Sequence, residues 1–276
     1  MKILVIDLET IGEGPADGGV VELGWCEVLQ FKVYKSPLST GPEIIDYTIG
    51  ESGAHFIDPG MPIPPESSMH HHIIDSDVVG ARPFALELGN LLKVREPTVL
   101  AAHSAKFEQR FITPDMTGGL PWICTYKCGL RLYPDAPSHS NQGLRYYNKP
   151  QGLIREKGLP AHRAEPDAYV TAFHVRDMLS LASVEDLVKW SSEPALQRTC
   201  HIGSYRGEKW VNIESSFLRW VADRDFDEDV HYTVNRLLLQ RQGLDGEELE
   251  AALHKILHGE EDQDDVEFEE IVDESR

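Results

Sequence analysis

The chain is 276 residues long, 41% hydrophobic, and carries a formal charge of −20. That apolar content supports a packed core and one or two domains. No apolar run approaches the roughly 20 residues that span a bilayer, and the N-terminus lacks the basic-then-apolar pattern of a cleaved leader.

Cys26, Cys124, Cys128 and Cys200 lack the paired spacing of a structural zinc site, so reduced thiols in a cytoplasmic protein are expected. A charge of −20 weighs against a phosphate-rich partner. Much of it, however, is local. Residues 247–276 hold thirteen acids against Lys255 and Arg276, a net −11, and read as a short helix followed by a disordered acidic tail.

Residues 2–6, Lys2-Ile3-Leu4-Val5-Ile6, predict a buried strand that runs into Asp7-Leu8-Glu9-Thr10. In an extended backbone residues i and i+2 face the same way, so Asp7 and Glu9 share one side. Two such carboxylates raise each other's pKa unless a cation sits between them, which suits a divalent metal. The pair is equally compatible with a solvated turn.

Residues 20–23 and 27–33 read as two further strands separated by Gly-rich turns. The proline-rich stretch 59–65 reads as a loop. Met69-His70-His71-His72-Ile73-Ile74 follows; three consecutive histidines do not converge on one metal, and a loop helix packing Met69 and Ile73 inward is one reading.

A helix is predicted over 84–92 and a buried strand over 98–102, entering His103-Ser104-Ala105-Lys106-Phe107-Glu108. Glu108 falls in the first turn of a helix, where it either faces a site at the sheet edge or lies in solvent. Phe107 reads as the anchor of that turn. Core continues over 120–132, a helix and loop over 138–153, and a helix over 166–181 whose packing face is Ala168, Thr171, Ala172, Val175, Met178 and Leu179.

That helix is preceded by His162-Arg163-Ala164-Glu165-Pro166-Asp167, which sets Asp167 near the unpaired N–H groups of its start and His162 in a loop alongside. The alternation of strands and helices predicts an α/β fold with a mixed sheet. Ser191-Ser192-Glu193-Pro194 marks a boundary, giving a domain over 1–190, a small module over 196–243, and the acidic segment 247–276.

Together Asp7, Glu9, Glu108 and Asp167 offer hard oxygen ligands of the kind Mg²⁺ and Mn²⁺ prefer, and His162 one titratable nitrogen. Two such ions about 4 Å apart suit phosphodiester hydrolysis, with a histidine taking the proton of water.

The order of these motifs resembles the three-prime to five-prime exonucleases of the ribonuclease H-like fold, whose sites hold four acids and a histidine; bacterial proofreading subunits, ribonuclease T and oligoribonuclease are members. The likeness covers residues 1–185. It implies a mixed sheet flanked by helices, two Mg²⁺ or Mn²⁺ ions on Asp7, Glu9, Glu108 and Asp167, and His162 as general base. It also implies that Thr10, Met69, His71, Ile73 and Ser104 contact the terminal nucleotide.

Trp122-Ile123-Cys124-Thr125, and residues 202–210 with Phe217-Leu218-Arg219-Trp220 after them, resemble a DNA-degrading branch of the family. The implied partner is therefore DNA with a free 3′ end, single-stranded by preference, with RNA the alternative. In the trailing module Tyr205, Arg206, Lys209, Trp210, Arg219 and Trp220 read either as a stacking platform or as a small core, the latter for Trp220.

Two residues depart from the family pattern. Glu108 stands where Asp is usual, which moves the carboxylate by about 1.5 Å where catalytic groups need near-ångström placement. Ser104 stands where Asn is usual, with shorter hydrogen-bonding reach. A nucleic-acid-binding protein with weakened turnover is the reading these departures motivate.

Overall fold

A computed structural model describes residues 1–16, 18–33 and 44–258. The acidic tail expected beyond the last helix lies outside the described residues.

The elements in chain order begin with β1 (Lys2–Thr10), β2 (Val20–Val33) and β3 (Ile44–Phe56), then α1 (Pro65–His71), α2 (Asp75–Val78) and α3 (Phe84–Arg95). Next come β4 (Val99–Ala102), α4 (Glu108–Phe111), α5 (Pro114–Thr117), β5 (Trp122–Cys124), α6 (Thr125–Leu132) and α7 (Asn141–Asn148). The chain continues through α8 (Ala164–Met178), α9 (Val184–Ser192), α10 (Ser215–Ala222), α11 (Glu228–Arg241) and α12 (Gly246–His258).

Five strands form one sheet in the order β3-β2-β1-β4-β5. The first three pair antiparallel, and β4 and β5 extend β1 in parallel. With helices on both faces this is a mixed α/β sheet of ribonuclease H-like type, followed by extra helices.

The two-residue side-chain period of a strand divides β1 between two cores. Ile3 and Val5 join Cys26, Val28, Val99, Ala101 and Ile123 under Ala168, Tyr169, Ala172 and Phe173 of α8. Leu4, Ile6 and Leu8 face the other way, onto Leu23, Trp25, Leu88, Leu91 and Phe111. Asp7 and Glu9 therefore continue the row that begins under α8.

The two strands read at 20–23 and 27–33 are one, because Gly24 does not break β2. It is glycine for a different reason: a Cβ there would stand 2.1 Å from the carbonyl carbon of Ala164, where α8 begins. A strand also forms where none was predicted, at β3. Its hydrophobic alternation is blurred because it is an edge strand, with Ile45 and Phe56 exposed and Gly53 lying against the Trp25 ring. The proline-rich stretch ends where Pro65 opens α1.

All four cysteines are free and buried. Among the described residues no helix is long and apolar enough to cross a membrane.

The chain divides into two compact units, Met1–Ala195 and Leu196–Arg276. The second has its own core of Cys200, Trp210, Ile213, Leu218, Val221, Val230 and Val234, with Tyr232 against Leu249 and Leu253. Trp210 fills that core, and Trp220 does not. Leu218 and Val221 are the inward residues of α10, which leaves Trp220 41% exposed, stacked on Phe217 with the Arg224 guanidinium 3.9 Å from its ring centre.

Candidate active site

Where β1 runs past the apolar part of its α8-facing row, Asp7 and Glu9 meet Asp167, which sits one turn into α8. The three residues each present a carboxylate oxygen, and those atoms lie within 4.8 Å of one another. Asp167 is buried and held from three sides. Its Oδ2 accepts the backbone N–H of His162 at 2.7 Å, and its Oδ1 accepts the side-chain amides of Asn141 at 3.2 Å and Gln142 at 3.1 Å. Sequence reasoning missed Asn141 and Gln142; polar residues in the first turn of a helix such as α7 are too common to stand out.

Glu108 is the first residue of α4, 3% exposed, and its Oε2 has no hydrogen-bond partner. Leaving a buried acceptor unpaired costs about 1–3 kcal/mol, and more for a charged group. Asp7, Glu9, Thr10, His71, Ser104, Glu108, His162 and Asp167 all line one open cavity of about 740 Å³. A second cavity of about 550 Å³ shares Asp7, Ser104, His162 and Asp167 and is walled by Asn141, Gln142, His139 and Tyr126. His103, which had no predicted role, lines both; its Nδ1 lies 2.9 Å from the Thr125 hydroxyl.

The other predicted contact residues differ in placement. Thr10 donates its hydroxyl to the Gly12 carbonyl at 2.9 Å. His71 is 2% exposed; its Nδ1 accepts the Ile73 N–H at 3.1 Å, which fixes the proton of the neutral ring on Nε2, and Nε2 has no partner. Met69 is 67% exposed and Ile73 is buried with Ile11, Val21, Ile63 and Val78; neither lines the cavity. Phe107 packs on Phe111 with ring centres 5.6 Å apart, beside Glu108.

Two non-glycine cavity residues hold a left-handed backbone, Ser104 at φ 65° and His162 at φ 61°. For an L-residue this costs about 1–2 kcal/mol, least for asparagine, and such strain concentrates at functional sites. It supplies a reason for asparagine at Ser104 in the family pattern. Ser104→Asn is accordingly expected to stabilise the chain by about 0.5–1 kcal/mol in urea unfolding.

The electrostatics of the cluster are costly as they stand. Burial, then Glu9, Asp167, Glu108 and Glu22, holds the Asp7 carboxyl well above the usual range. Burial, then Asp167 and Glu22, pushes Glu9 up to about 8 against the opposing charge of Arg163. Burial foremost brings Glu108 to about 8 as well, with Glu9 adding to it and a hydrogen bond from its own backbone opposing. A divalent cation would relieve all three. Oxygens on opposite sides of an octahedral Mg²⁺ stand about 4 Å apart, so carboxylates this close, with an orphaned oxygen beside them, fit that ion's donor set.

The fold is similar to that of a solved exonuclease, here with a candidate acidic metal-binding cluster. Among solved structures the chain is similar to Exonuclease X in complex with 5′ overhanging duplex DNA, at 26% identity and a TM-score of 0.53, covering 69% of this chain and 99% of that one. The nuclease domain of 3′hExo, a DEDDh family member bound to rAMP, matches at 14% identity and a TM-score of 0.46 over 66% of this chain and 92% of its own. An E. coli ExoI–ssDNA complex matches at 16% and 0.46 over 68% of this chain and 42% of its own. No family model and no curated protein matches the chain.

Proposed function

We propose that this chain is a metal-dependent 3′-to-5′ exodeoxyribonuclease that releases 5′-mononucleotides. The observation that carries the proposal is the convergence of Asp7, Glu9 and Asp167 within 4.8 Å, in a cavity also lined by Glu108 and His162. Two divalent ions, Mg²⁺ or Mn²⁺, would be held by Asp7, Glu9, Asp167 and Glu108. When bound they supply charge neutralisation at the phosphate and a water that loses its proton readily.

The chain's own residues do the rest. His162 takes the proton of the attacking water as that oxygen bonds to phosphorus. The bond from phosphorus to the 3′-oxygen of the penultimate nucleotide breaks, and that oxygen takes a proton from solvent water, leaving a shortened strand with a 3′-hydroxyl and a free 5′-mononucleotide. The Nε2–H of His71 is a donor fixed in direction by the Ile73 N–H, suited to a sugar or phosphate oxygen of the terminal nucleotide. Thr10 and Ser104 flank the same cavity.

The likeness to Exonuclease X, whose structure contains duplex DNA with a 5′ overhang, supports DNA and a recessed 3′ end as a substrate to test. The sequence favours single strands, since an end that needs no unpairing threads into such a site without cost.

The test uses 5′-labelled oligonucleotides as single-stranded DNA, recessed duplex and single-stranded RNA, with Mg²⁺, Mn²⁺ or chelator. Stepwise shortening of DNA that stops in chelator is the expected result. Faster loss of RNA would make the chain an exoribonuclease instead, and no metal-dependent loss of any substrate would leave a binding protein.

A further inference from the structure

The carboxylates of β1 are one half of a paired arrangement. Across the antiparallel ladder Glu9 stands opposite Glu22 of β2, and Asp7 opposite Gly24. The start of α8 lies against those same two β2 positions. Gly24 lets the backbone in, since any Cβ would meet Ala164 at 2.1 Å. Glu22, 3% exposed, then grips it with both oxygens. Its Oε1 accepts an Arg163 terminal N–H at 2.6 Å, and its Oε2 accepts Arg163 Nε–H at 2.9 Å and the Ala164 N–H at 3.0 Å.

The Ala164 N–H is one of the four that a helix start leaves unpaired. One residue on, Glu165 accepts the Ser52 hydroxyl of β3 at 2.8 Å, a second tether for the same turn.

Both oxygens of Glu22 are engaged by the start of α8, and Glu22 is not among the carboxylates that cluster at the candidate metal site. Its pairing with Arg163 is bidentate, the geometry that fixes both partners in direction as well as distance. Arg163 also lies between His162 and Ala164 in the chain. Whatever holds it therefore sets the left-handed backbone of His162 and the height of Asp167 above β1.

We infer that Glu22 and Arg163 are positioning residues of the metal centre, clamping the first turn of α8 over the cross-strand neighbours of Asp7 and Glu9. The inference rests on the proposed metal-dependent reading. Its logic is that of outer-shell partners, whose loss typically costs 10–100-fold in metal affinity or activity without their touching the ion.

The test compares the full chain with Glu22→Ala and Glu22→Gln by Mn²⁺ titration without nucleic acid, followed by electron paramagnetic resonance, and by steady-state kinetics on labelled DNA. Glu22→Ala is expected to weaken Mn²⁺ binding about 10–100-fold and to lower kcat with KM within about two-fold. Glu22→Gln keeps the side-chain volume and an acceptor for the Ala164 N–H, so it is expected to fall between Glu22→Ala and wild type.

Wild-type Mn²⁺ affinity in folded Glu22→Ala would overturn the inference. Should that variant not fold, wild-type affinity and kcat in Glu22→Gln would do the same. A wild-type chain that binds Mn²⁺ yet degrades nothing would remove the nuclease reading alone, with the Mn²⁺ series still deciding the clamp. A wild-type chain that binds no Mn²⁺ would remove both.

Discussion

His162→Ala is expected to lower DNA turnover by about 10²–10⁴-fold, the usual contribution of a positioned general base, while leaving Mn²⁺ affinity within about two-fold. The separation follows from the way the residue is held. The bond that pins this loop runs from the His162 backbone N–H to Asp167 Oδ2, and an alanine retains it. The left-handed backbone costs an alanine no less than a histidine, so the substitution leaves the strain in place and removes only the imidazole.

His162 lines both cavities that meet at the carboxylates. Single-turnover kinetics beside a Mn²⁺ titration make the comparison. Retention of more than half of the wild-type rate would exclude His162 as the base, and a parallel loss of Mn²⁺ binding would make it structural.

Much of the scaffold is legible in the sequence because the first strand carries two signals at once. Its odd and even residues go to different cores, and the same alternation carries Asp7 and Glu9 to the α8 side. The start of α8 is also legible, from the Arg163-Ala164-Glu165-Pro166-Asp167 stretch, although the helix begins at Ala164, two residues earlier than Pro166 suggests, because Glu22 satisfies the Ala164 N–H.

What is not legible is set by partners remote in sequence. Gly24 looks like a turn signal until α8 is laid over it, and Glu22 looks like a surface charge on a strand until Arg163, 141 residues on, reaches it. The sequence places Ile73 at the substrate with His71, yet Ile73, just past the end of α1, turns inward as core, while His71, the last residue of α1, lines the cavity. The exposure of Trp220 likewise depends on which flank of α10 Leu218 and Val221 claim.

Asp7→Asn is expected to do opposite things to activity and to stability. Asp7 is the acid that faces every other carboxylate of the cluster, with burial and then Glu9, Asp167, Glu108 and Glu22 all disfavouring its charge. Removing that charge should cost turnover more than about 100-fold, beyond what loss of an outer-shell partner costs. Without metal, however, it relieves repulsion that the fold otherwise carries, and functional sites commonly hold such a cost.

The pH dependence fixes the sign. Glu9 and Glu108 titrate near 8 in the fold but near 4.3 in an unfolded chain. Between those values the native state binds more protons than the unfolded one, so stability falls as pH rises through that range. His103 and His174, kept neutral by burial and brought to about 3 and about 4, act oppositely: the unfolded chain binds more protons, and stability rises with pH until about 6.5.

The carboxylates therefore stand alone between about pH 6.5 and 8. In chelator, wild-type stability should drop across that window by about 1–2 kcal/mol for each raised carboxyl. Asp7→Asn should make the drop shallower and leave the variant more stable than wild type at pH 8 by about 1–2 kcal/mol. Mn²⁺ should reverse the order, raising the wild-type melting temperature most at pH 8 and the variant's little. Urea unfolding at pH 6.5, 7.2 and 8, with and without Mn²⁺, measures all of these. A wild-type curve that is flat or rising with pH in chelator would mean that the four acids do not share a buried site.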